Sequence, residues 1–298
     1  MIDLRFAPAL LLAAFVAPAG PAPAAPAKPP KAAPAAAAPA LPATPPAAQL
    51  AALKARPIGP AVMGGRVVSI AVDPEDPATF YLGHATGGLW KTTNGGTTFS
   101  PLMKDAKVFS IGAVAVAPSD PRVVWVGTGE ATDRNSAGFG SGVYRSTDGG
   151  ATFTHAGLPA SRAIARIAVH PARPEVAFVA AAGDLWTKGG ERGLYRTTDG
   201  GKSWTKVLAA AAPDDADTGC VDVVLSPADP DLVYAALYAR RRTPWSFTYG
   251  PSLTGGRDAG GVFRSSDGGA TWTKLTNGLP AQTGRIGLAV TAADPKVV

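Results

Sequence analysis

The chain has 298 residues, with 35 Gly, 29 Pro, 1 Cys, 17% charged residues and a formal net charge of +6. A single cysteine excludes an intrachain disulfide framework and a cysteine-rich zinc site, and His84, His155 and His170 are too widely spaced for a local metal-binding pair, so neither metal nor other cofactor is expected. Arg5, Lys28 and Lys31 against Asp3 put +2 of that charge in residues 1–49, and the remainder shows no basic run interleaved with aromatics, which argues against nucleic acid as a partner.

Met1–Arg5 is short and holds one arginine, Phe6–Val16 is apolar throughout, and Ala17-Pro18-Ala19 supplies a small-x-small cleavage pattern. That order predicts a signal peptide over residues 1–19 and a secreted or periplasmic protein. The apolar run falls short of the ~20 residues of a membrane span, so no transmembrane helix is expected beyond the signal segment. Residues 20–55 are mostly Ala and Pro. Proline blocks helix and favours extended polyproline II, so this stretch reads as a disordered spacer without a core.

Residues 56–298 are written as one unit repeated. KTTNGGTTF (91–99), RSTDGGATF (145–153), RTTDGGKSW (196–204) and RSSDGGATW (264–272) share the pattern Ser/Thr-x-Asp/Asn-x-Gly-x-Ser/Thr-aromatic. Upstream of each lies an alternating apolar run, a turn at Asp76-Pro77, Asp120-Pro121, Arg173-Pro174 or Asp229-Pro230, and a second apolar run. In the first unit the period of two predicts strands over Val67–Val72, Thr79–Gly83, Gly88–Thr92 and Thr97–Leu102. Four short antiparallel strands per unit make one blade of a β-propeller, and stacked neighbours must bury its faces. The expected fold is all-β, a β-propeller fragment with four complete blades (about 60–105, 106–158, 159–211 and 212–281) and the start of a fifth (282–298). RIGLAV (285–290) is its expected first strand, and a larger propeller is the expectation that follows.

The eight-residue pattern is the Asp-box. Glycine takes a positive φ, the acid accepts turn N–H groups, and the aromatic packs between sheets. Asn94, Asp148, Asp199 and Asp267 therefore read as structural. Asn94 forms the same turn without charge.

Successive turns of a meander alternate between two rims, so the Asp-Pro turns and the boxes share one rim and the loops from second to third strand share the other. The units differ in that second set of loops, 127–142, 182–193 and 238–261. Crowded on one face, Glu130, Asp133, Asp184 and Glu191 are the candidate acid/base residues. Arg66, Arg134, Trp186, Arg192, Arg240, Arg241, Arg242, Trp245 and Tyr249 are the candidate ligand-binding residues. Stacking planes, bidentate donors and paired carboxylates are what a polyol or glycan needs. Salt bridges and packed tryptophans that stabilise long loops are the other reading of the same residues. Arg166 and Arg285 are placed near the central channel, with Asp222 facing it or capping a turn. Cys220 and His170 read as structural, and His84 heads the short loop of the first unit.

RPIGPAVMGGRVVSIAV (56–72), GHATGGLWKTTNGGTTF (83–99), VGTGE (126–130), ERGLYRTTDGGKSW (191–204) and RRRTPWSF (240–247) resemble a family of exported bacterial proteins with sortilin-type, BNR/YVTN-like Asp-box repeats, often labelled glycosyl hydrolase. The resemblance implies a propeller and export. Sialidases share Asp-boxes and use an Arg-Ile-Pro segment; here Arg66 is followed by Val67-Val68. Endo-xyloglucanases carry a T-D-x-G-G segment, and HATGGLW (84–90) has Ala85 where their aspartate stands. The reading placed first is a binding scaffold for a glycan, peptide or protein on the loop-rich face. The alternative is a glycoside hydrolase, sialidase- or xyloglucanase-like, with its carboxylates on the long loops.

Overall fold

The computed structural model describes residues 65–294 and 297–298; the expected signal peptide and the whole of the spacer lie outside the described residues. Four antiparallel meanders follow one another along the chain. The first joins β1 (Val67–Val72), β2 (Phe80–His84), β3 (Gly88–Thr92) and β4 (Ser100–Leu102). The second joins β5 (Ile111–Ala117), β6 (Asp120–Thr128), β7 (Val143–Ser146) and β8 (Thr154–His155), and the third β9 (Ile164–His170), β10 (Arg173–Ala181), β11 (Gly193–Thr197) and β12 (Thr205–Leu208). The fourth joins β13 (Thr218–Leu225), β14 (Val233–Arg242), β16 (Gly261–Ser265) and β17 (Thr273–Leu275), with β15 (Phe247–Tyr249) pairing on the far end of β14. The all-β propeller architecture predicted from the repeat is the one observed.

The first strands β1, β5, β9 and β13 lie side by side, and with residues 288–290 they line a central cleft of about 460 Å³. Each sheet packs face to face on the next. Ala71, Tyr81 and Leu89 meet Ile111, Val114, Val124 and Val126; Trp125 and Val143 meet Ile164, Ile167 and Val179; Phe178 and Leu194 meet Val223, Val233 and Ala235. Buried side chains of this kind contribute about 1.5–3 kcal/mol each, so the interfaces between sheets carry the stability that no single meander has.

One interlock recurs at every interface. Tyr81, Trp125 and Phe178 on second strands stand directly across from Lys91, Arg145 and Arg196 on third strands. Each cation lies over its ring, 5.2–5.8 Å from the centroid. The pair receives the glycine turn of the following sheet's box. Tyr81 Oη and Lys91 Nζ both donate to the Gly149 carbonyl, at 2.9 and 2.8 Å. A Cβ on Gly269, at φ +86°, would come within 2.7 Å of the Phe178 ring, so both the conformation and the close approach demand glycine there.

Two differences from the expected strands have local causes. The fourth strand of the first sheet starts at Ser100 instead of Thr97, because Thr97 and Thr98 are bound into the box turn around Asn94. Residues 285–290 form no strand, since no neighbouring strand pairs with them among the described residues. They nevertheless lie where a fifth inner strand belongs. Ile286 and Leu288 pack on Val221, Ala236 and Tyr238, and Leu288 N–H donates to Asp222 Oδ2 at 2.9 Å.

Candidate functional site

The two rims separate as the meander requires. On one rim each box turn is tied to the preceding strand turn of its own sheet: Gly95 N–H donates to Ala78 O (2.9 Å), Gly149 to Arg122 O (2.8 Å), Gly200 to Glu175 O (3.0 Å) and Gly268 to Asp231 O (2.9 Å). Within each acidic box the carboxylate accepts the N–H and hydroxyl of the Ser or Thr four residues on and the hydroxyl of the Ser or Thr two residues before. Those hydrogen bonds hold the Asp148 and Asp267 carboxyls down to about 2, and that of Asp199 lower still. Asn94 keeps the turn with one role exchanged: its Nδ2 donates to Thr98 Oγ1 at 2.9 Å, where the aspartates accept from that hydroxyl. All four residues act within their own turn.

On the opposite rim the three long connections converge, and the fourth sheet holds them together. Arg240, at the end of β14, is fully buried and donates to Ala131 O (2.7 Å), Asp133 Oδ1 (2.9 Å) and Gly183 O (3.0 Å). It therefore pins loops from the second and third sheets at once. Arg242 Nη2 reaches Asp133 O (2.8 Å) while its guanidinium lies 5.0 Å over Phe247. Arg285 Nη1 adds a bond to Ala131 O at 2.6 Å. Arg192 is buried inside its own loop and donates to the carbonyls of Gly189, Ala182, Asp184 and Thr187. Desolvation, reinforced by the nearby positive Arg240, lowers its pKa to about 10.

Glu130 is buried and pairs with Arg66 and Thr132, leaving Oε2 with no hydrogen-bond partner among the described residues. Asp184 caps its own turn through Trp186 N–H (2.8 Å) and Thr187 Oγ1 (3.0 Å), and Glu191 accepts Ala160 N–H at 2.7 Å. Glu130, Asp184, Trp186, Phe139 and Arg162 line one small pocket of about 10 Å³, room for one water at most. The wider cleft of about 750 Å³ lies elsewhere, between Leu102, Met103, Tyr144 and Phe153 at the outer margin of the first two sheets.

What faces solvent on this rim is aromatic and cationic. Residues 238–242, expected in a loop, extend β14 as a strand, which turns at Thr243–Ser246 and returns as β15. Trp245 sits at the tip, 94% exposed. Tyr249 is half exposed and stacks on Phe247, with ring centroids 5.3 Å apart and planes tilted by 27°. Arg134 is exposed, and Arg241 pairs with Asp217. Asp217 escaped the sequence reading because it precedes β13 outside any motif; Phe247 was legible as one of the alternating aromatics of WSFTY.

Residues 141–279 match the family model described as sortilin, neurotensin receptor 3, of the Sortilin-Vps10 type. The repeat is sortilin-like. Among curated proteins, a probable oligoxyloglucan-reducing end-specific xyloglucanase of Neosartorya fischeri is 30% identical over 145 residues, 46% of this chain and 15% of its own length. A xyloglucanase of Acetivibrio thermocellus is 27% identical over 235 residues, 73% of this chain and 26% of its own length. The chain thus spans about a quarter or less of these relatives. The crystal structure of an ancestral GH74 enzyme superposes with a TM-score of 0.53 at 20% identity, covering 72% of this chain and 26% of that one, and shares the fold. Among the described residues no helix is long and apolar enough to cross a membrane.

Proposed function

We propose that this sortilin-like repeat segment belongs to an exported glycoside hydrolase that takes a xyloglucan-type polysaccharide on its loop-rich rim. The observation that carries the reading is the aromatic hairpin: Trp245, 94% exposed, beside the stacked Phe247 and Tyr249. A flat apolar ring held in water by a rigid turn is costly unless a ligand covers it, and sugar faces stack on such rings. The xyloglucanase relatives support a glucan as that ligand, and residues 1–19 support export. Arg134, Arg241 and Arg242 border the platform as donors to hydroxyl groups. Asp184 and Glu191 are the candidate loop carboxylates that no arginine or lysine pairs with among the described residues, which makes them the better acid/base candidates of the four. Glu130 and Asp133 are held by Arg66 and Arg240.

The same ion pairs favour a second reading, binding without hydrolysis, in which the rim presents the chain to a glucan that another part of the protein cleaves. One experiment separates them: titrate the purified protein with xyloglucan oligosaccharides by tryptophan fluorescence, and analyse the mixture for products. Saturable binding weakened about tenfold in Trp245→Ala supports the platform. Product formation lost in Asp184→Asn or Glu191→Gln supports catalysis here. Binding unaffected by Trp245→Ala overturns the site.

A further inference from the structure

Five dipeptides place an asparagine or aspartate directly before glycine: Asn94-Gly95, Asp148-Gly149, Asp199-Gly200, Asp267-Gly268 and Asn277-Gly278. Such pairs are chemically labile. The unhindered glycine nitrogen attacks the side-chain Cγ, a C–N bond closes a five-membered succinimide, and ammonia leaves from asparagine. Water then opens the ring to aspartate or isoaspartate, and no electron changes hands. The reaction needs the glycine N–H free to lose its proton and the side chain free to swing onto it.

The box denies both conditions. Gly95, Gly149, Gly200 and Gly268 each donate their N–H to a carbonyl at 2.8–3.0 Å. Asn94 is tied at both ends, its Oδ1 accepting Thr92 Oγ1 and Thr98 N–H and its Nδ2 donating to Thr98. The three aspartates are bound in the same turn and held ionised, and a carboxylate is a poor electrophile. Asn277-Gly278 stands outside any box, in the turn after β17. Both residues are exposed, the Asn277 side chain and the Gly278 N–H make no hydrogen bond among the described residues, and Gly278 has open space around it at φ +73°.

We propose that Asn277 is a site of spontaneous deamidation in the folded protein, and that the Asp-box fold is what protects the other labile pairs. The product carries a new negative charge, and in the isoaspartyl form an extra main-chain carbon, at the turn leading into residues 282–290.

The test is a time course of the full chain at mildly alkaline pH, native and in guanidinium chloride, followed by peptide mass spectrometry that distinguishes aspartate from isoaspartate. In the native protein Asn277 should convert while Asn94 lags by roughly a hundredfold, because its turn must first open against several hydrogen bonds. In denaturant the two should convert alike. Gly278→Ala should slow the loss at Asn277, and Thr92→Ala, which loosens the first box, should speed it at Asn94. Asn135, exposed before a serine whose side chain hinders attack, is the internal control. Equal native rates at Asn94 and Asn277, or an Asn277 as inert as Asn94, would overturn the proposal.

Discussion

The two rims are built from the same residue types and use them in opposite ways. On the box rim the box residues satisfy themselves locally: Asp148 reaches Ser146 and Thr152, and the Gly149 N–H reaches Arg122 in the same sheet, while the preceding sheet adds only Tyr81 and Lys91 on the Gly149 carbonyl. On the loop rim the contacts span the molecule, with Arg240 holding Ala131 and Asp133 more than a hundred positions away. Local satisfaction lets a turn repeat unchanged, while long-range satisfaction lets each loop differ. That difference explains why one rim is uniform and the other carries the exposed aromatics.

The largest expected effects break what both rims depend on. Trp125 is fully buried between the second and third sheets, so Trp125→Ala should destabilise by about 3–5 kcal/mol, read from urea unfolding. Arg240→Ala should cost a similar ~3–5 kcal/mol, since it leaves the Asp133 carboxylate and the Gly183 carbonyl without their partner and Ala131 O with Arg285 alone. Arg240→Met fills the space but strands the same groups, so it should recover only part of the loss. An unfolding midpoint unmoved by Arg240→Ala would mean that the loops are not clamped by the fourth sheet.

Acid should act on the box rim next. The Asp148 and Asp267 carboxyls sit at about 2 in the folded chain, with Asp199 lower, against roughly 4 when unfolded. Between those values the unfolded chain binds more protons, so stability rises with pH. The boxes therefore contribute their full share above about pH 4 and lose it as pH falls through about 2. Replacing the three aspartates by asparagine, as the first box already does naturally, should flatten the pH dependence of the urea midpoint between those values and lower the midpoint at neutral pH, where the carboxylates contribute in full.

The repeat made the four sheets, the two rims and the box chemistry legible, because strand alternation and an eight-residue turn are encoded within a few neighbours. The candidate site was legible only in outline. Loop spacing located the face, but nothing in ERG or YARRR distinguishes Arg192 and Arg240, buried on backbone carbonyls, from Arg134, which faces water. Their roles depend on which distant carbonyl lies within reach, and that is settled by how the sheets stack. The same holds for Arg66 and Glu130, which meet across 64 positions.

The smallest expected effect is on stability and the sharpest on binding. Trp245 rests on nothing: its ring is 94% exposed, and its turn is held by Thr243 and Ser246 through the hydroxyl pair at 2.8 Å and the Thr243 N–H to Ser246 O bond. Trp245→Ala should leave the unfolding midpoint within about 0.5 kcal/mol of the parent. Thr243→Ala, by contrast, should slacken the turn and lower glucan affinity without touching the indole. If Trp245→Ala destabilised the chain as strongly as Trp125→Ala, the indole would be a packing residue, and the contrast between a locally satisfied rim and a ligand-facing one would fail at its most exposed point.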